Sequence, residues 1–485
     1  MRKILAMPGS WRSHSALLAA VIGLLPSYAA AQNGALEEII VTATKRAASV
    51  QDIAMSVSAF DEQTIREATI TNADDLAILS PTLTITTNTQ PNTAAFRIRG
   101  IGTSQTDVAL EPSVGIFVDD VYLNRSGLGM SDLTDIERIE ILNGPQGTLY
   151  GKNTNAGAIS VITKAPNLKE YEGYLEATLG DYGLQKYIAA ASGPITDNLA
   201  FRVSGSTHER DGYLENNGTG DDMNGVDDWN VVGKLLYIPT DDLSISFKGT
   251  YVDRNPSCCA PDATGGDSVN EQLIAEGFEP DKNDPFDYVT AVSVEQDFES
   301  EFYSFSLVAD YQLDWGSFKS ITSYSENEGG ADYDPDRSQL DVMSYVESYG
   351  AGDTFSQEFR VDFDASDTFQ HLLGFFYYES TTEGGDGKPF VFLGEDFLVQ
   401  GNQQQDFLDS LPAPLNFLAR PGDNLRAESS IDTTNVAVFG QSTWYITEAW
   451  QVTGGLRWTD EEKDADIFTE IDSTAPSDAL LGLSF

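Results

Sequence analysis

Ile136 to Pro166 reads IERIEILNGPQGTLYGKNTNAGAISVITKAP, and this stretch decides the fold. Ile136, Ile139, Ile141 and Leu142 form a β-prone run that stops at Asn143-Gly144-Pro145, a turn sequence. Ala158 to Thr163 is a second run, closed by Lys164-Ala165-Pro166. Between them lie Gly144, Gly147, Gly151 and Gly157, a density that lets backbone pass close to backbone. The pattern is strand, tight turn at Pro145, glycine-rich crossing, strand. It describes a compact crossed unit rather than a linker. The chain changes character after it, so it sits at a boundary.

Upstream, Met55 to Pro166 reads as a mixed α/β region of one domain's size. Asp61 caps a short helix to Ala68. Asn72 caps a second to Leu79, which Ser80-Pro81 stops. Short strands follow at Leu83–Thr87, Ala95–Arg99 and Val114–Val118, with Asp119-Asp120 as a hairpin turn.

Downstream, from Tyr171, the period changes to two. Leu199, Phe201 and Val203 oppose Asn198, Arg202 and Ser204; Phe355, Phe359, Val361 and Phe363 oppose Ser356, Glu358, Arg360 and Asp362. About eleven such segments run from Tyr171 to Lys463, most of them ~10 residues long, the length a tilted strand needs to cross a bilayer. Sandwich strands alternate too but average about five to six residues. Tight turns at Gly193–Asp197 and Ile446–Ala449 contrast with long loops at Arg254–Glu299 and Glu383–Ser429. That asymmetry, with aromatics near segment ends, favours a transmembrane antiparallel β-barrel.

The chain has 485 residues and a net charge of −48, from 28 basic and 76 acidic residues. Such acidity excludes nucleic acid and anionic membrane surfaces as partners. Arg2-Lys3, the apolar run Ala16–Leu25 and Ala29-Ala30-Ala31 make residues 1–31 a signal peptide. Glu38-Ile39-Ile40-Val41-Thr42-Ala43-Thr44 is a β-prone run near that end. It is either the domain's first strand or an edge strand offered to a partner's sheet.

Catalysis finds little support. His208 and His371 stand without a Ser/His/Asp context. Gly147–Thr154 resembles a phosphate loop but has Gln146 where the first glycine belongs and Asn153 where Ser or Thr must stand. Cys258-Cys259 and the acidic loops at Asp221–Asp228 and Asp332–Asp336 lack metal-ligand spacing, so no metal and no cofactor is expected. Arg97, Arg99, Arg138 and Glu140 on the small domain, and Glu358, Arg360 and Arg457 on the long strands, would pair if that domain sat in a polar lumen; they would equally face water.

At these residues the chain resembles the TonB-dependent outer-membrane transporters, over nearly its whole length. Ile136–Pro166 is similar to the family's most specific signature. Phe96-Arg97-Ile98-Arg99-Gly100, Val114–Asn124 (VGIFVDDVYLN), Ser356–Phe363 (SQEFRVDF) and the FGQ and GLRWT of Val438–Thr459 are similar to others. The resemblance implies an N-terminal α/β plug inside the lumen of a barrel of about 22 strands, of which about 11 are present here. It implies a periplasmic tail over 32–50, a plug over 51–166 and barrel over 167–485. It makes Glu38–Thr44 the TonB box, which pairs with TonB and its inner-membrane energising complex.

Asn143 stands where the family usually has Arg. Plug–barrel locking is then expected to lean on Arg99 and Arg138, with Glu140, Glu358 and Arg360. The acidic stretch before Phe485, and an unconvincing last strand in Leu480–Phe485, suggest a sequence lacking the second half of the barrel. The family's mechanism implies a non-enzymatic importer in outer-membrane lipid. Ligand binding outside releases the box, the coupler pulls, and the plug yields. A ferric siderophore is the expected cargo by family frequency; oligosaccharides, aromatic compounds and cobalamin stay open, as do a passive porin and a secreted enzyme.

Overall fold

The computed structural model describes residues 40–472. Excepted are the internal stretches 71–74, 88–93, 104–109, 125–132, 258–270, 279–283, 335–337, 341–342, 386–388 and 394–423, and single positions between 272 and 295 and at 367 and 448. Glu38, Ile39, Asn72, the cysteine pair Cys258-Cys259 and Leu480–Phe485 therefore lie outside the described residues.

The chain begins with a small tail hairpin, β1 (Ile40–Val41) against β2 (Ala48–Ser49). The N-terminal domain follows with β3 (Val57–Asp61), helix α1 (Glu62–Glu67), helix α2 (Leu76–Leu79), β4 (Leu83–Thr87) and β5 (Ala94–Ile98). Next come β6 (Val114–Val118), β7 (Val121–Leu123), β8 (Ile136–Asn143) and β9 (Gly157–Thr163). Helix α1 starts where Asp61 accepts from the Thr64 amide at 2.8 Å, the expected cap. β4 and β5 pair as a ribbon, while β3-β8-β9-β6-β7 form a five-stranded sheet in which β6 and β9 run parallel.

The signature stretch supplies the sheet's two central strands. Ile139 to Leu142 are all buried, whereas a half-exposed strand would alternate. Ile139 and Ile141 face a core with Ile98, Ile116 and Ile159. Leu142 and Ala158 face the other way, under Val41 and Ala43 of the tail. The crossing between β8 and β9 folds on itself. Gly144 donates to Ala156 O at 3.0 Å and Gln146 to Thr154 O at 2.9 Å. A Cβ at Gly157 would lie 2.3 Å from Leu142 O, so the two strands meet only because that side chain is missing.

The rest of the chain is one long antiparallel sheet. Its strands are β10 (Glu172–Leu179), β11 (Gln185–Thr196), β12 (Leu199–Arg210), β14 (Val226–Thr240), β15 (Leu243–Arg254) and β17 (Phe298–Leu313). It continues through β18 (Gly316–Tyr333), β19 (Met343–Ser366), β20 (Phe369–Gly384), β22 (Asn424–Thr447) and β23 (Trp450–Asp472). The short β13 (Glu215–Asn216) and β16 (Val289–Thr290) pair parallel between two loops, and β21 (Pro389–Leu393) joins β19 and β22. Among the described residues β10 and β23 are the two ends of this sheet.

Five connections, β11–β12, β14–β15, β17–β18, β19–β20 and β22–β23, are two residues each and lie at one end. The wall alternates as the period-two reading requires: Arg202 is 5% exposed and its neighbour Val203 43%. Outward aromatics collect in two bands. Tyr237, Tyr311, Trp315 and Trp444 lie near the two-residue turns, and Trp229 packs on Tyr251 farther along. Trp229 and Tyr237 are separated by about 26 Å of strand, matching the apolar band of an outer-membrane barrel.

Two expectations change. The strands run from 8 to 24 residues, not ~10, because beyond the apolar band both faces are polar and the alternation vanishes. Gly193-Pro194 belongs to β11, which runs on to Thr196 through an irregular pairing, and the turn itself is Asp197-Asn198.

Candidate functional site: the tail, the hairpin turn and the wall

The tail hairpin lies on β8. Val41 and Ala43 are fully buried against Phe117, Tyr122, Leu142 and Tyr150. The Thr42 amide between them donates to both Glu140 oxygens, at 2.9 and 3.0 Å, and its hydroxyl to Oε1 at 3.2 Å. Glu140 is wholly buried, and Arg138 Nε donates to it at 2.9 Å. Tyr150 OH reaches Thr42 O at 3.4 Å. One buried carboxylate thus holds the tail's backbone, with Arg138 balancing its charge.

Beyond Thr44, Lys45 and Arg46 carry the tail's charge across. Lys45 Nζ lies 3.2 Å from Asp120 and 4.1 Å from the centre of the Tyr150 ring, its side chain almost fully buried. Arg46 forks onto Asp362 of β19, with Nη2 at 2.8 Å from Oδ1 and Nε on Oδ2. Asp120 also receives both Arg360 terminal nitrogens at 3.3 Å and lies 3.7 Å from Lys319, and Arg360 is itself bonded to Glu358. Burial lowers the Lys45 ammonium, and the Arg360 charge lowers it further, against the pull of Asp120. Burial alone would raise the Asp120 carboxyl, but Arg360, Lys45 and Lys319 outweigh it and hold it well below the usual carboxylate range.

The hairpin turn presents two acids to the wall. Asp119 and Asp120 both have left-handed backbones, φ 50° and 71°, as the two central positions of a tight β-turn require. Asp119 contacts Lys248 of β15 at 2.7 Å and Lys234 of β14 at 3.3 Å, and its other bonds go to Thr163 at 2.6 and 2.9 Å. Asp135 binds Arg202 of β12 through two nitrogens, one at 2.6 Å. On the far side, Lys152 lies 2.9 Å from Glu461 of β23 and 2.8 Å from Glu111, and Lys463 reaches Glu111 at 2.8 Å. Gly151 lets the crossing approach β23: a Cβ there would meet the Arg457 guanidinium at 2.6 Å, and its φ is +85°.

Of the residues expected to lock the two parts, Arg360 meets the domain at Asp120, and Glu358 is bonded to Arg360. Arg138 and Glu140 are bonded to each other and hold the tail. Arg99, at φ 53°, donates to Ser56 within its own domain at 3.1 Å. At Asn143, where the family usually has Arg, the side chain accepts from Thr82 at 2.8 Å. Beside Lys152 and Glu111, the acids Asp119, Asp120 and Asp135 carry contacts to the wall, a role sequence reasoning missed. The available signal was Arg202, Lys234 and Lys248 at inward positions of otherwise apolar-out strands. Of the acidic loops, Asp334 accepts from Ser293 at 2.8 and 3.0 Å.

Comparison with known proteins follows this division. Residues 49–158 match the family model of the TonB-dependent receptor plug domain, and residues 260–478 that of the TonB-dependent receptor-like β-barrel. The pesticin receptor of Yersinia pestis is 32% identical over 210 residues, 42% of this chain and 30% of that one. The iron-regulated outer membrane virulence protein of Vibrio cholerae is 26% identical over 220 residues, 42% of this chain and 33% of that one. The crystal structure of the ferric yersiniabactin uptake receptor FyuA from Yersinia pestis superposes with a TM-score of 0.66 at 19% identity, over 86% of this chain and 61% of that one. The ferripyoverdine receptor of Pseudomonas aeruginosa gives 0.62 at 15% identity, over 90% and 56%. The chain spans less than two thirds of the length of each of these relatives.

Proposed function

The chain belongs to the TonB-dependent receptors of the outer membrane, a family of transporters rather than enzymes, and on that premise we propose that it imports a ferric siderophore through displacement of its plug. The fold alone allows other cargo. The ferric yersiniabactin and ferripyoverdine receptors among the structures it resembles favour the iron-chelate class. Residues Glu38–Thr44 act as the TonB box in this reading, and TonB with its inner-membrane complex supplies the pull.

One observation carries the mechanism. Thr42 is bonded to Glu140, while Lys45 and Arg46, three and four residues on, bind Asp120 of the plug and Asp362 of the wall. A pull on the box loads Glu140 first. It then reaches Lys45 on Asp120, the acid that Arg360 of β19 also holds, and Arg46 on Asp362 of β19. Force applied to the tail therefore acts on the lock itself, with no need for a long relay.

The test is growth. A strain lacking its own receptor and carrying this chain is offered a panel of ferric chelates as sole iron source, with oligosaccharides and cobalamin as comparators. Energy-dependent uptake of one chelate is expected. Ile40→Pro, which removes the amide of a residue paired with Ser49 and offered to the coupler, should abolish it. Uptake that survives Ile40→Pro and a collapsed proton gradient would count against the proposal.

A further inference from the structure

We infer that the cargo crosses as an anion, along the wall face of β12, β14 and β15, through a gap that opens where these strands meet the plug. This rests on the displacement reading and adds to it a route and a charge class.

The first observation is charge. The inward positions of these three strands carry Arg202, Arg210, Lys234, Lys248 and Arg254 against one acid, Asp228, which pairs with Arg254 at 3.2 Å. The whole chain has 76 acidic residues and 28 basic ones, so this face is set against its average. Arg202 lies directly across from Lys234, and Lys234 across from Lys248. Like charges in directly opposed positions destabilise a sheet. They are tolerated here because the plug brings Asp119 to the two lysines, and because Asp135 of the plug and Glu172 of β10 both bind the arginine. On the opposite side the wall's charges are mixed: Glu358, Arg360 and Asp362 on β19, Glu461 and Lys463 on β23.

The second observation is space. A void of about 80 Å³ separates the plug from this same face, with Leu133, Ile136 and Val161 on the plug side and Asn230, Lys248 and Ser306 on the wall side. Val252 and Phe302 of the wall line this void too and join the plug's core, and Lys234 donates beside it to Thr163 O and Lys164 O of the plug at 3.1 and 3.0 Å. The tail's two charged contacts lie elsewhere, Arg46 on Asp362 of β19 and Lys45 on Asp120, which Arg360 of β19 also binds. When the plug moves, Asp119 and Asp135 leave with it. Lys234 and Lys248 then face water in a confined gap, while Arg202 keeps Glu172 of β10 at 2.8 Å. Such a row concentrates anions about ten- to a thousandfold and repels cations.

The experiment uses the full chain in cells with its coupler, with Cys258→Ser and Cys259→Ser, and one reporter at a time. Ser306→Cys lines the void and lies across from Lys248; Thr443→Cys is an inward position on β22. Each is treated with an anionic and a cationic methanethiosulfonate, rates being scaled to those with a free small thiol. During energised uptake the anionic reagent should label Ser306→Cys at least about tenfold faster than the cationic one. Lys248→Gln should bring the ratio toward unity. Equal rates, or a faster cation, overturn the charge assignment. Labelling at Thr443→Cys but not at Ser306→Cys overturns the route while plug displacement stands. Labelling at neither removes displacement, and this inference with it.

Discussion

The Thr42 amide donates to both oxygens of the Glu140 carboxylate, which no water reaches and which is 98 residues away in sequence. Glu140→Gln keeps the shape and removes the charge. A hydrogen bond to a charged group is worth about 1 kcal/mol more than a neutral one, roughly a fivefold change in the undocked population. Thiol labelling of Ala43→Cys, with Cys258 and Cys259 replaced by Ser, reads that population because Ala43 is buried only while the tail is docked. The labelling rate should rise by that factor. An unchanged rate would mean that Val41 and Lys45 hold the tail unaided.

Asp120 is shared by Lys45, Lys319 and Arg360, so its loss leaves three cations facing one another. Removing one partner of a buried ion pair costs about 3–5 kcal/mol. Asp120→Asn should therefore lower the urea midpoint for release of the plug more than Arg360→Gln does. The double variant should be milder than the sum, with a coupling of about 1–3 kcal/mol. Additive losses would show that Asp120 and Arg360 are neighbours without being partners.

How much of this was legible can be said residue by residue. The signature Ile136–Pro166 placed β8, β9 and their crossing, because buried strands write themselves as dense apolar runs. The wall could be read wherever one face meets apolar surroundings, as at Arg202 and Val203. It could not be read over Asp460–Asp472, where DEEKDADIFTEID is polar on both faces and yet continues β23. Asp119-Asp120 could be read as a turn, since Asp tolerates the left-handed backbone. Its partners could not: Lys248 is 129 and Arg360 240 residues away, and nothing local distinguishes a lysine awaiting a plug from one facing water.

Gly151 offers a test of how tightly the crossing meets β23. A methyl there would stand 2.6 Å from Arg457 Nη2, and φ +85° is strained for any L side chain. Gly151→Ala should destabilise the seated plug by about 1.5–3.5 kcal/mol, backbone strain of about 1–2 plus about 0.5–1.5 for pushing the flexible Arg457 side chain off its rotamer. Arg457→Ala in the same chain removes the clash and leaves the strain, so rescue should be partial. The readout is the midpoint of plug release. Full rescue would place the whole penalty in the contact, and no rescue would place it in the backbone.

The hairpin acids fix the pH range in which the plug stays seated. Burial alone would raise the Asp119 carboxyl, but Lys248 and Lys234 outweigh it, as Arg360, Lys45 and Lys319 do for Asp120; both are held well below the ordinary value of 3.8. The folded state then binds fewer protons than the unfolded one in that interval. Their contribution is complete above the ordinary value and fades as pH falls below it. Lys45 shifts the other way in charge: its folded value lies below 10.5, so it too favours the folded state as pH rises toward 10.5. These three groups predict a midpoint of plug release that drops below about pH 4, is steady above about pH 5, and rises on the alkaline side as Lys45 loses its proton. Asp119→Asn with Asp120→Asn should start lower and lose most of that acid-side slope. A wild-type midpoint that declines already between pH 7 and 5 would assign the transition to some other group and remove these two acids from the seat.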